Sequence, residues 1–241
     1  MAHAAWKWMV VAAGVGAAVL ACSGDDNNGG KPPPPINAFD AGVNEVRPGL
    51  GNDPGEPQGT PFSLPPGVTV SGKVYGVAND PTADCGNGAP GNGSGVYVRV
   101  CVPLRNATGA PVEVVFPPGL IIITAAEGFQ HGLLVERVVV RVPPTRGGPG
   151  GQLPDGGTDP DAVVVPLFTY CLNDSKLPSD TGVPYTLGPV TSDSALRELL
   201  DLLANKRIDT DDDVDVVQDA IYSITEDKGL TVDDRNAINK L

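Results

Sequence analysis

Thiol chemistry is the first thing these residue types allow. The 241-residue chain carries four cysteines, Cys22, Cys85, Cys101 and Cys171, but only two histidines, His3 and His131. A Ser-His-Asp relay or a multi-His metal site therefore has almost no material to work with. Residues 1–20 read MAHAAWKWMVVAAGVGAAVL, with one lysine and then an uncharged apolar run. A charged start followed by an apolar segment too short to span a bilayer comfortably is an export signal. Export implies an oxidising compartment in which cysteines pair. Cys22 closes the apolar run, and the three thiols beyond it cannot all pair with one another. Cys85 opens a Gly-rich loop leading to the predicted strand that bears Cys101, so Cys85–Cys101 is the preferred disulfide. Cys101–Cys171 is the rival, because both lie in predicted strands. Either way one thiol is left over.

The segment Val19-Leu20-Ala21-Cys22 resembles the lipobox of bacterial lipoproteins. The resemblance implies cleavage before Cys22 and a diacylglycerol on its thiol, and Ser23 in the next position implies the outer membrane or cell surface. Several acyl chains would exceed what stable membrane attachment needs. Residues 23–66 then hold 18 Gly and Pro among 44 residues, with no apolar period. That composition reads as a disordered tether.

The surplus thiol has a candidate role. Tyr170-Cys171-Leu172-Asn173 is followed downstream by Val217-Gln218-Asp219-Ala220-Ile221-Tyr222. The pair of segments resembles the bacterial thioester domain of surface adhesins, with Val217 where that family has Thr and Tyr222 where it has Trp. The resemblance implies an internal thioester between Cys171 and Gln218. Its chemistry is simple: a thiolate attacks a carboxamide carbonyl, ammonia leaves, and the activated acyl group can be captured by a partner amine. Such a site needs contact between Cys and Gln, a donor for the developing charge, and exclusion of water. It needs no histidine.

These residues must be held by a folded body. From Val68 onward, alternating apolar stretches at Val68–Val77, Gly95–Leu104, Val112–Phe116, Leu120–Thr124, Leu133–Val142 and Ala162–Cys171 are cut by Gly, Pro and Asn. Short strands with regular turn signals predict an immunoglobulin-like antiparallel β-sandwich. After Pro189 the period becomes helical. Leu196, Leu199, Leu200 and Leu203 form one stripe, and Val217, Ala220, Ile221 and Ile224 form another. Asp193 or Ser194 is the expected cap of the first helix and Asp212 or Asp213 that of the second, while Thr231 and Asp234 form a capping box for a third. The expected order is thus a signal peptide at 1–21, a tether at 22–66, a β-sandwich at 67–172, and a helical subdomain at 173–241 packed on it.

Charge narrows the function. With 16 Lys and Arg against 29 Asp and Glu, the net charge is −13. That balance disfavours nucleic acid as a partner and a polybasic grip on anionic lipid. The acidic ladder Asp209, Asp211, Asp213, Asp215 has Val214 and Ala220 where a calcium loop needs Gly and Glu, so it reads as a helix start and not a metal site. The sequence therefore predicts no cofactor and no enzyme. It predicts a lipid-anchored protein of the bacterial envelope presenting an interaction or structural module to a protein or cell-surface partner. A covalent adhesin built on Cys171 and Gln218 is the alternative.

Overall fold

A computed structural model describes residues 46–78, 85–86, 88–145 and 161–241. Cys22 and the tether residues up to 45 lie outside the described residues. Among the described residues, ten strands run in the order β1 Gly59–Thr60, β2 Val68–Val70, β3 Val74–Gly76, β4 Val98–Asn106, β5 Val112–Phe116, β6 Leu120–Thr124, β7 Gly132–Leu133, β8 Val138–Val142, β9 Val163–Cys171 and β10 Pro184–Thr191. Three helices follow, α1 Ser194–Leu203, α2 Asp211–Thr225 and α3 Val232–Ile238.

The expected immunoglobulin-like sandwich is not what forms. Strands β10, β3, β4, β9, β7 and β6 hydrogen-bond in that order, and β10 pairs again with β6, closing a six-stranded antiparallel barrel. Strand β10 decides the matter. Its sequence, PYTLGPVT, carries two prolines and a glycine and does not alternate, so it lacks the pattern of a strand. It bridges β3 through Tyr185–Val74 and β6 through Thr186–Ile123 and Leu187–Ile122. Closure removes the open edges that two stacked sheets would leave. Two other expected strands divide. Gly72, at φ +81°, separates β2 from β3. The stretch Leu133–Val142 splits into β7, in the barrel, and β8, which pairs with β5 in a separate two-stranded sheet.

Two cores share the barrel wall. Val98, Val100, Val102 and Leu104 of β4 pack with Leu120, Ile122, Val165 and Leu167, and the two-stranded β5–β8 sheet adds Val114, Phe116, Val138 and Val142. Ile121, Leu133, Tyr170 and Leu172, which alternate with those positions, face the helices instead. There they meet Leu196 and Leu199 of α1, Val217, Ile221 and Ile224 of α2, and Ile238 of α3. The helix stripes read from the sequence are the buried faces. Caps are Asp193 on α1 and capping boxes on α2 and α3; the α2 box begins at Thr210, with Asp213 as its reciprocal partner and not its cap.

Residues 46–66, assigned above to the tether, belong to the body. Arg47 and Leu50 are buried, Thr60 pairs with Val190 in β10, and Gly51 donates to the Leu172 carbonyl at 2.8 Å. Gly51 sits at φ +57°, and a Cβ there would run into the Thr225 carbonyl. The segment is fastened by backbone hydrogen bonds and by one buried cation, neither of which depends on an apolar period.

Candidate functional site

Cys171 is the last residue of β9 and lies opposite Gly132 of β7. A Cβ at Gly132 would collide with the Thr169 hydroxyl, so the close approach of β7 at this point needs glycine. On this side the ladder bonds belong to neighbouring residues: Leu172 donates to the His131 carbonyl at 3.0 Å. The amide and carbonyl of Cys171 itself point the other way. Strand β4, whose pairing with β9 begins at Val98–Thr169, does not reach them.

Gln218 fills that position. Its side-chain Oε1 accepts from the Cys171 backbone N–H at 2.9 Å, and its Nε2 donates to the Cys171 carbonyl at 2.9 Å. A glutamine side chain from α2 thus acts as a strand neighbour to the cysteine. The stripe Val217, Ile221 and Ile224 seats α2 on the barrel wall and presents Gln218 at its border. Cys171 is 0% exposed and Gln218 is 2% exposed.

The sulfur has a partner of its own: the Asn173 backbone N–H donates to Sγ at 3.2 Å. Burial pushes the thiol up to about 11, against the opposing pull of Tyr222, one helical turn beyond Gln218, and of the Asn173 N–H. Burial, and then the Cys171 side chain, raises Tyr222 as well. Tyr97 and Tyr222 are half-buried, unlike the thiol beneath. Asp215, Asp219 and Asp174 act electrostatically on Tyr97, which gives this edge a negative potential.

Asn173 organises the turn behind the thiol. Its Nδ2 donates to the Gly49 and Gly51 carbonyls at 3.1 and 2.9 Å, and its Oδ1 accepts from the His131 N–H at 2.9 Å. Nothing in the residue pattern singles out Asn173 beyond its place just after a strand. Its role comes from the segment 46–55 folding back onto it. His131 is buried, and its Nδ1 accepts from the Thr124 N–H at 3.2 Å. Burial, with Lys176 nearby, lowers its pKa to about 4, so it is a neutral structural imidazole.

Cys85 and Cys101 form a disulfide with a Cα–Cα distance of 5.6 Å. It packs with Val77, Tyr75 and Val164, away from the helices. The rival pair Cys101–Cys171 is not formed, and Cys171 is a free, buried thiol. Among the described residues, no group of three His, Cys, Asp or Glu side chains is arranged to hold a metal ion. Among the same residues, no helix is long and apolar enough to cross a membrane. A cleft of about 500 Å³ beside α1, lined by Val135, Leu200, Arg197 and Lys206 among others, reaches neither Cys171 nor Gln218.

No protein-family model, curated protein or solved structure matches this chain.

Proposed function

We propose that this chain is an exported, lipid-anchored envelope protein whose body binds partners covalently through a Cys171–Gln218 thioester. The observation that carries the proposal is the Gln218 carboxamide held against the very residue that bears the free thiol, by two hydrogen bonds of 2.9 Å. A glutamine brought only to complete a ladder would not also need a buried, unpaired cysteine at that residue.

The chemistry balances without a further reagent. The Cys171 sulfur bonds to the Gln218 carbonyl carbon, the carbon–nitrogen bond breaks, and the thiol proton leaves with the amide nitrogen as ammonia. A partner's primary amine then attacks the same carbon. Its nitrogen forms the new amide bond, sulfur departs, and the amine proton returns to it as the thiol. Burial of both side chains keeps water from hydrolysing the activated acyl group. The carboxylates Asp174, Asp215 and Asp219 beside Tyr97 favour cationic amines over neutral ones at the edge of the site. The acyl anchor on Cys22 and the Gly- and Pro-rich stretch after it would hold this module at the membrane surface.

Mass spectrometry tests the bond. With removal of residues 1–21 and the acyl groups on Cys22 accounted for, the purified chain should be lighter than its sequence by one ammonia beyond the two hydrogens of the disulfide, and peptide mapping should join Cys171 to Gln218. Methylamine should convert Gln218 to its methylamide and free one thiol, and Gln218→Ala should abolish the ammonia loss. A chain at its full sequence mass, less the disulfide hydrogens, would leave only a non-covalent interaction module. The anchor is tested separately by fatty-acid labelling. Cys22→Ala should abolish the label, and a label retained in that variant removes the lipid assignment.

A further inference from the structure

Helix α1 uses two faces. Leu196 and Leu199 enter the core, while Arg197, Leu200, Asp201 and Ala204 follow one another at helical spacing and line the cleft of about 500 Å³ beside the helix. Val135, Glu136 and Arg137, from the connection between β7 and β8, line the same cleft, as do Lys206 and Ile208 from the segment after α1. A cleft of this size lies within the range of about 300–1,000 Å³ that bound small molecules and peptide ends occupy.

The polar groups of the lining are not satisfied by one another. Arg137 and Arg197 are exposed, and among the described residues neither guanidinium has an ion-pair or hydrogen-bond partner. Asp201, one turn from Arg197, does not pair with it, and Lys206 is engaged elsewhere, its Nζ donating to the Asn239 carbonyl at 3.0 Å. Glu136 has the complementary deficit: its Oε2 is closed off from solvent and accepts no hydrogen bond. A carboxylate oxygen in that position keeps its desolvation penalty uncompensated. The last torsion of a Glu side chain is broad, so a small rotation offers this oxygen to a donor in the cleft. Between these groups lies apolar surface from Val135, Leu200, Leu203 and Ile208.

We propose that this cleft is a binding site for the carboxyl-terminal end of a peptide with apolar side chains. Arg137 and Arg197 hold the terminal carboxylate, whose two oxygens match the forked N–H groups of a guanidinium. A backbone N–H of the peptide donates to the Glu136 carboxylate, and the apolar side chains cover Val135, Leu200, Leu203 and Ile208. The ligand must carry both an anionic end and an N–H donor, because Glu136 repels an acid that brings no donor. A fatty acid meets only half of that requirement. The cleft reaches neither Cys171 nor Gln218, so this binding is non-covalent and independent of the thioester.

Isothermal titration calorimetry of the full chain tests the site with three probes: N-acetyl-alanyl-leucyl-leucine as the free acid, the same peptide as its terminal amide, and decanoate. The acid should bind one per chain, and the amide about 10- to 100-fold more weakly, because it loses the charge-assisted hydrogen bonds. Arg137→Gln and Arg197→Gln, both at exposed positions that tolerate substitution, should each weaken the acid about 10-fold or more and shrink its advantage over the amide. Glu136→Ala should act in opposite directions, weakening the peptide acid and strengthening decanoate. Failure of the acid to bind at millimolar concentration overturns the inference. Equal affinity for acid and amide does the same, as does binding that Arg197→Gln leaves unchanged. Decanoate binding as tightly as the peptide acid would make the cleft a site for amphipathic acids and also overturns it. None of these outcomes depends on whether the thioester forms.

Discussion

A bond between Cys171 and Gln218 would staple strand β9 to helix α2 across 47 residues. In the chain-entropy treatment of a cross-link, closing a loop of that size restricts the unfolded chain by about 4 kcal/mol at 25 °C. The body from Val46 to Leu241 is of a size at which each kcal/mol moves the melting temperature by about 2–4 °C. Opening the thioester should therefore lower Tm by about 8–16 °C. Methylamine is the suitable perturbation. The methylamide it leaves on Gln218 keeps a carbonyl oxygen for the Cys171 N–H, while its methyl group, cis to that oxygen, replaces the N–H that reached the Cys171 carbonyl. The thioester has lost that nitrogen too, so the Cys171 carbonyl lacks the Gln218 donor before and after opening, and the loss isolates the cross-link. The assay is differential scanning calorimetry of the full chain before and after methylamine, with mass spectrometry confirming complete opening. Gln218→Ala, which cannot form the bond, should show no methylamine effect. Complete opening with Tm unchanged within about 1 °C would refute the reasoning, since a 47-residue staple cannot be removed without releasing chain entropy.

Three further outcomes are expected. Asn173→Ala strips partners from the Gly49 and Gly51 carbonyls and the His131 N–H at a fully buried site, so urea unfolding should register a loss of about 3–5 kcal/mol. Arg47→Met removes the buried guanidinium that donates to Asp193 at 2.8 Å, and with it the brace on the carboxylate that caps α1 through the Leu196 N–H; chemical denaturation should show about 3 kcal/mol lost. His131, lowered to about 4 in the folded chain against about 6.5 unfolded, is neutral in the native state and takes up its proton more readily on unfolding. Its contribution is therefore complete above about pH 6.5 and disappears as pH falls toward 4. His131→Gln should flatten the decline of the urea midpoint across that window, and an unaltered decline would assign it to the carboxylates.

The residue pattern alone determined those features whose cause is local. The Leu196–Leu203 and Val217–Ile224 stripes are the faces that α1 and α2 bury, because a helical period is complete within one or two turns. Thr231 and Asp234 cap α3 for a similarly short-range reason. Strands β5, β6 and β9 stand close to where alternation put them. With Cys22 set aside as the expected lipid site, the other three cysteines left an odd thiol, and the resemblance of the Tyr-Cys and Gln-x-Ala-Ile-Tyr segments to a thioester domain pointed to Cys171 and Gln218. Only the tertiary structure decided that the sheet is a closed barrel. Closure depends on β10 reaching β6 some 60 residues away, through backbone groups that Pro184 and Gly188 make hard to recognise in sequence. Tertiary structure also drew residues 46–66 out of the tether and onto Leu172 and Asn173, since a Gly-rich segment held by main-chain hydrogen bonds carries no apolar signal. It set the α2 cap at Thr210, where the hydroxyl and Asp213 complete a reciprocal pair. And it brought the Gln218 amide to Cys171, because β9 outruns β4 by a residue or two and leaves one peptide group without a strand to bond. A buried N–H and C=O must find partners, and which side chain supplies them is a property of the assembled fold.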